Sequence, residues 1–170
     1  MSPTIIRPIE NSDLVGAAAA LIDVHSTDGY PVEGVEEPEA WLCSADVMAA
    51  WVGDLEGTIV GHVAVMHARD EDAVSMWMQR SGEEKSQIAV LARLFVTKGA
   101  RTHAVGERLM RAAMAYGREC ELRLVLDVMT KDIAAMRLYE RLGWFEIGKT
   151  SHPYGRGQSI EAVCYAAPEA

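Results

Sequence analysis

The run Leu91-Ala-Arg-Leu-Phe-Val-Thr-Lys-Gly-Ala-Arg-Thr-His-Ala-Val-Gly-Glu-Arg-Leu-Met110 gathers residues suited to holding an anion. It reads as a buried strand, a short basic loop and the first turn of an amphipathic helix. A helix start leaves its first backbone N–H groups without intrahelical partners and carries the positive end of the helix dipole. Lys98 and Arg101 add charge in the loop, and Gly106 leaves room in the first turn. Together these features suit a phosphate group. On the residues alone, a helix start without a ligand fits equally well.

The surrounding elements follow from spacing. Thr4 to Ile9, with Pro8 near its end, fits an edge strand. Asn11-Ser-Asp13 offers caps for a helix whose inner positions would be Leu14, Ala18, Leu21, Ile22 and His25. The acidic, turn-rich segment from Asp28 to Pro38 reads as an ordered loop, followed by a helical turn near Glu39 to Cys43. Val47 to Gly53 and Thr58 to His67 flank Asp54-Leu-Glu-Gly57 as a β-hairpin. Asp70 to Arg80 is compatible with a short helix carrying Trp77. Ile88 to Val96 is a strand buried on both faces, and His103 to Glu119 a helix.

Leu122 to Val128 is a further strand, apolar except for Asp127. Asp132 caps a helix with Ala135, Leu138, Tyr139 and Leu142 on one stripe, ended by Gly143. By spacing alone Tyr139 is a packed aromatic. Trp144 to Ile147 and Ile160 to Ala166 close the chain as two strands around a loop rich in Gly, Ser and His. The fold class is therefore α/β (α+β), with about seven strands and about four helices. At 170 residues, with no internal repeat or linker, residues 1–170 read as a single domain.

Composition narrows the function. A net charge of −9 argues against a nucleic-acid surface and weakly favours a cationic partner such as an amine. No apolar run is long enough for a membrane span. Cys43, Cys120 and Cys164 are odd in number and far apart, without a CxxC pair or an HExxH pattern. Reduced thiols, no metal and a cytoplasmic location are the expectation.

Two motifs, with strands correctly interposed, resemble those of the GNAT superfamily of acyl-CoA-dependent N-acyltransferases. The family's Gln/Arg-x-x-Gly-x-Gly/Ala stands here as Arg101-Thr-His-Ala104-Val-Gly106. Its Asn-x-x-Ala-x-x-x-Tyr, ending in Gly-Phe, stands as Asp132-Ile-Ala-Ala135-Met-Arg-Leu-Tyr139, then Gly143-Trp144. Arg7-Pro8 and Gly61-His62 also fit the family's habits, and the resemblance covers essentially the whole chain. Ala104 replaces a glycine, Asp132 an asparagine and Trp144 a phenylalanine. Val90 stands where many relatives place a glutamate.

The resemblance implies a mixed, mostly antiparallel, splayed sheet and acetyl-CoA as co-substrate. The pyrophosphate would lie on Lys98, Arg101, Thr102, His103, Ala104, Val105 and Gly106. The main chain of Leu94, Phe95 and Val96 would pair with the pantetheine arm, one amide facing the thioester oxygen. Asp132 and Ala135 complete the implied cofactor set, and Tyr139 would protonate the leaving thiolate. Asp28 and Tyr30 would shape the acceptor side. The implied reaction is direct transfer of acetyl to a primary amine of a small molecule or peptide, in a ternary complex, by a monomer or homodimer. A non-catalytic acyl-CoA-binding module is the alternative. The proton acceptor stays open among His25, Asp28, Glu33, His67, Asp127 and water.

Overall fold

In the computed structural model, residues 3–30, 36–154 and 157–169 are described. Seven strands form one mixed sheet in the order β1-β2-β3-β4-β5-β7-β6. They are β1 (Ile5–Pro8), β2 (Val47–Leu55), β3 (Thr58–His67), β4 (Ile88–Val96), β5 (Arg123–Met129), β6 (Phe145–Tyr154) and β7 (Gln158–Ala166). The five α-helices are α1 (Leu14–Asp28), α2 (Pro38–Leu42), α3 (Asp72–Ser81), α4 (Val105–Glu119) and α5 (Ile133–Arg141). The pairs β1–β2, β2–β3, β5–β7 and β6–β7 are antiparallel, and β4–β5 is parallel. Two compact units divide the chain, residues 1–66 with 92–113 and residues 67–91 with 114–170.

In the first unit, Glu56 and Gly57 close the β2–β3 hairpin, both at positive φ (52° and 88°). That is the backbone demanded by a two-residue turn matched to strand twist. The Asp54 carboxylate accepts the Gly57 N–H at 2.8 Å. Helix α1 buries Ala17, Ala18, Ala20, Leu21 and Val24. These small side chains let the helix sit close to the sheet, where Leu21 and Val24 pack with Leu42, Val52, Ile59 and Phe95. Ile22, expected to face inward, is 50 % exposed. The stripe is rotated by the alanines, which spacing rules weight less than isoleucine.

Two glycines seat α4. A Cβ on Gly61 would stand 3.0 Å from Leu109 Cδ1 and 3.1 Å from Val105 Cγ1, and one on Gly53 would stand 3.0 Å from Val105 Cγ1. Val105, Leu109, Met110 and Ala113 are fully buried. The start of α4 is thus pressed onto β2 and β3 where side chains are missing, which fixes the helix mouth.

In the second unit, β4 and β5 pair from Ile88↔Arg123 to Val90↔Val125. Helix α3, which spacing left undecided, buries Ala73, Val74 and Trp77. Trp77 meets Phe145 edge-on at 5.9 Å, and the Arg123 guanidinium lies 4.9 Å from the Trp77 ring centre. Strand β6 is longer than expected. Most of the Gly-, Ser- and His-rich stretch read as a loop pairs with β7, from Gly148↔Cys164 to Tyr154↔Gln158. As an edge strand, β6 tolerates Pro153 and polar residues that signal a loop in sequence. No α-helix among the described residues is long and apolar enough to cross a membrane.

Candidate active site

The mouth predicted at Arg101–Gly106 is built in the first unit. Strand β4 leads at Thr97 into a 3-10 turn over Lys98–His103, and Ala104 then starts α4. The Thr97 N–H bonds the Val60 carbonyl at 2.8 Å, and the Ala100 N–H bonds the Thr97 carbonyl at 3.0 Å. Ala100 is buried, so the turn is anchored by its own alanine. The Ala104 carbonyl accepts from Arg108 N–H at 3.1 Å, the first bond of the helix. The side chains of Thr102 and His103 lie outside the described residues, as does Glu33 of the acceptor loop.

Ala104 has φ 56° and ψ 27°, the left-handed region. This explains physically why the family motif places a glycine there, because a Cβ in that region costs about 1–2 kcal/mol. Ala104→Gly is expected to raise stability by about 0.5–1 kcal/mol, once glycine's greater unfolded-state entropy is deducted. A thermal melt checks this, and a lowered Tm would contradict it.

Arg101 is not idle. Its Nε–H donates to the Val96 carbonyl at 3.1 Å, and its guanidinium pairs with the Asp28 carboxylate at the end of α1. Arg101 accordingly holds the Asp28 carboxyl below the usual carboxylate range. Lys98 is exposed. The donor set of Lys98, Arg101 and the α4 amides fits a diphosphate in charge and chemistry. Tyr30 packs beside Trp41, edge to face at 6.3 Å, at the margin of the α1 core. Asp28 and Tyr30 thus both lie in the unit that carries the mouth.

Sequence reading missed the conformation of β4 itself. Arg93 sits at φ 57° inside the strand, in the same region as Ala104. Its guanidinium bonds the Trp41 carbonyl and the Ser44 Oγ (3.0 Å) and stacks 4.6 Å from the Trp41 ring centre. Its carbonyl lies 2.8 Å from His62 Nδ1. Nothing in the residue type announces this bend, since glycine rather than arginine is the usual sign of positive φ. Leu94, Phe95 and Val96 follow directly. Phe95 is buried, while Leu94 and Val96 are half-buried.

In the second unit, Asp132 caps α5, its carboxylate accepting the Ala135 N–H at 3.2 Å. Leu142 and Gly143 end the helix, Gly143 at φ 92°. Tyr139 is 6 % exposed, its ring 6.2 Å from Trp144 and 6.1 Å from Tyr165. Tyr165 is opposite Leu126 on β5, whereas Asp127 is opposite Cys164. Side chains alternate along a strand, so Asp127 projects from the sheet face opposite Tyr139. There it pairs with His152 of β6, both side chains about half exposed. A pairing 25 residues apart had no signal in the sequence. Val90 is buried in the β4–β5 ladder and brings no carboxylate.

Burial, with Asp127 and Asp72 nearby, pushes the Cys164 thiol up to about 12, so it is no thiolate nucleophile. Among the described residues, no group of His, Cys, Asp or Glu is placed to hold a metal.

The sequence model of the acetyltransferase (GNAT) family matches residues 10–144. The chain belongs to that family. Solved GNAT structures share its fold along nearly their whole length. An N-acetyltransferase from Staphylococcus aureus Mu50 is 16 % identical at a TM-score of 0.75, covering 97 % of this chain and 98 % of its own. A Salmonella typhimurium acetyltransferase, solved with its cofactor acetyl-CoA, is 14 % identical at 0.74, covering 99 % of both chains. The ribosomal-protein-S18-alanine N-acetyltransferase of Escherichia coli is 18 % identical at 0.72, covering 97 % of this chain and 93 % of its own. No curated protein matches the sequence at a significant level. The family is one of acetyltransferases.

Proposed function

We propose that residues 1–170 act as one N-acetyltransferase domain, moving acetyl from acetyl-CoA to a primary amine of a small molecule or peptide by direct attack. The observation that carries this reading is the junction of β4 and α4, where a helix start follows a turn bearing Lys98 and Arg101. Lys98, Arg101 and the main chain of Thr102 to Gly106 hold the diphosphate. Arg101 exchanges Asp28 for phosphate as it does so. Asp132 and Ala135 open α5 on the cofactor side. The amides of Leu94 to Val96 pair with the pantetheine arm as an added strand would.

In the transfer step the amine nitrogen attacks the thioester carbon. A C–N bond forms, charge develops on the carbonyl oxygen beside a β4 amide, the now cationic nitrogen loses a proton to solvent, and the C=O bond re-forms as the C–S bond breaks with its electron pair going to sulfur. The Tyr139 hydroxyl gives its proton to that sulfur and regains one from solvent. The structural neighbour solved with acetyl-CoA supports the choice of donor. The buried Cys164 is set aside as an acyl carrier. Tyr30 faces the acceptor, whereas Asp28 stands beside Arg101 at the diphosphate end.

An alkyl ammonium must first lose a proton, and its pKa is near about 10. With Val90 buried, the half-exposed Asp127–His152 pair takes that proton. Asp127→Asn is expected to lower kcat/KM about tenfold at pH 7. The deficit closes toward pH 9, where more amine is already free. A deficit unchanged across that range would remove Asp127 from the step.

The function itself is tested by free-thiol release from acetyl-CoA against a panel of polyamines, amino acids, aminoglycosides and peptide N-termini, with acetyl-CoA binding measured by calorimetry. Amine-dependent release is the expected result. Saturable binding without turnover on any amine would make the chain a binding module instead.

A further inference from the structure

We propose that His62 is a positioning residue, whose Nδ1–H fixes the Arg93–Leu94 peptide so that the Leu94 amide is aimed for the thioester oxygen. The inference rests on the acetyl-transfer reading above and adds a residue to it.

His62 stands on β3, fully buried, its ring stacked on Phe95 at 5.2 Å and 16°. Its Nδ1 lies 2.8 Å from the Arg93 carbonyl oxygen. A carbonyl only accepts, so the hydrogen is on Nδ1. Burial pushes the imidazole pKa down to about 4, so the ring is neutral at pH 7 and Nε2 is a bare acceptor. That Nε2 is buried with no hydrogen-bond partner among the described residues. For packing on Phe95 alone, a hydrocarbon ring would avoid this unsatisfied acceptor. What histidine adds is the single donor on Nδ1.

The group it grips is strained. Arg93 is held at φ 57° from both ends, by His62 at its carbonyl and by Trp41 and Ser44 at its guanidinium. Residues kept in sparsely populated backbone regions by several independent contacts gather where function needs a fixed geometry. In a trans peptide the carbonyl and the following N–H point in opposite directions. The Arg93 carbonyl points to His62, hence toward β3. The Leu94 N–H of the same plane therefore points away from β3. A hydrogen bond to developing negative charge depends steeply on direction, so a peptide free to rotate would lose it. His62 acts on the rate through this plane and need not touch the substrate.

The test compares the full-length protein with His62→Phe, which keeps the ring and its stack, and His62→Asn, whose amide N–H₂ can replace the Nδ1 donor. Thiol release gives kcat, and calorimetry gives the acetyl-CoA Kd. Expected are an at least tenfold lower kcat in His62→Phe at a Kd within twofold of the parent, and recovery to within threefold of the parent kcat in His62→Asn. A His62→Phe kcat within twofold of the parent overturns the proposal. So does a loss of kcat matched by equal loss of affinity, which marks a packing defect.

Nitrogen-15 NMR of the parent imidazoles provides a readout that survives even if His62→Phe does not fold. The signal absent from His62→Asn identifies His62. It should report the Nδ1–H tautomer, unprotonated at pH 6, and the Nε2–H tautomer would overturn the proposal. A parent that releases no thiol with any amine overturns the transfer reading instead, and the tautomer result is independent of it.

Discussion

Tyr139→Phe is expected to lower kcat for thiol release about 100-fold, at unchanged acetyl-CoA affinity. The substitution removes one oxygen and leaves the ring. The contacts with Trp144 at 6.2 Å and Tyr165 at 6.1 Å belong to the ring, and they set the packing of α5 on β7. The departing group is a thiolate, whose conjugate acid has a pKa near about 8.5, against about 10 for a phenol. A phenol is neutral at pH 7 and donates a hydrogen bond to the sulfur as the C–S bond lengthens; full transfer is uphill by about 1.5 pKa units and is completed as solvent returns a proton to the phenolate. The interaction exists only once charge reaches the sulfur, so it raises kcat without tightening the ground state. Thiol detection under saturating acetyl-CoA, beside thermal melts of both proteins, separates this role from packing. A rate within twofold of the parent would return Tyr139 to the status of a core aromatic.

The parts of this protein legible in its sequence are those where residue type and backbone demand coincide. Asp132 and Gly143 bracket α5 as a cap and a left-handed stop, at the positions their chemistry predicts. Gly57, at φ 88°, closes the hairpin for the same reason. Legibility fails where a residue is held against its own preference by something distant in the chain. Arg93 adopts the glycine region because His62, Trp41 and Ser44, 31 to 52 residues away, hold both its ends. Ala104 adopts it at the start of α4, whose Val105 and Leu109 are pressed into the gaps above Gly53 and Gly61. The motif located the mouth, yet the strained backbone before and within it is a property of tertiary contacts. Strand β6 was hidden by a different cause. An edge strand needs one covered side only, so Lys149 to Pro153 carry loop-like residues while still pairing with β7. The same freedom put His152 beside Asp127, where the acid–base candidate of the second unit arises.

Replacing Arg7 by methionine is expected to cost about 3–5 kcal/mol at pH 7, which lowers Tm by roughly 10 °C in a chain of this size. Arg7 on β1 presents a two-pronged fork to Asp13, with Nη1 and Nη2 each 2.8 Å from a carboxylate oxygen. Its Nη2 also reaches Asp54 at 3.2 Å. The fork ties the edge strand to the turn that starts α1 and to the end of β2. The Asp13 side chain is 8 % exposed, and it also accepts the Glu10 N–H at 2.7 Å. Methionine keeps the stem's packing but leaves this carboxylate buried without a counter-charge, which is where the cost arises.

The acid response carries the sign of the effect. Hydrogen bonds from Arg7 hold the Asp13 carboxyl below the usual range, against the opposing influence of burial. The native state therefore binds this proton more weakly than the unfolded chain, whose aspartates titrate near about 3.9. The stability contributed by the pair is complete above that value and drains as pH falls through the lower native one. In Arg7→Met the largest lowering cause is gone and only the Glu10 N–H bond still opposes burial, so the variant has much less of this contribution to lose. Urea unfolding at pH 7 and at pH 3 should show a gap between parent and variant that narrows markedly in acid. A Tm change under 2 °C, or a gap of equal size at both pH values, would mean that β1 is held by its ladder to β2 and not by the fork.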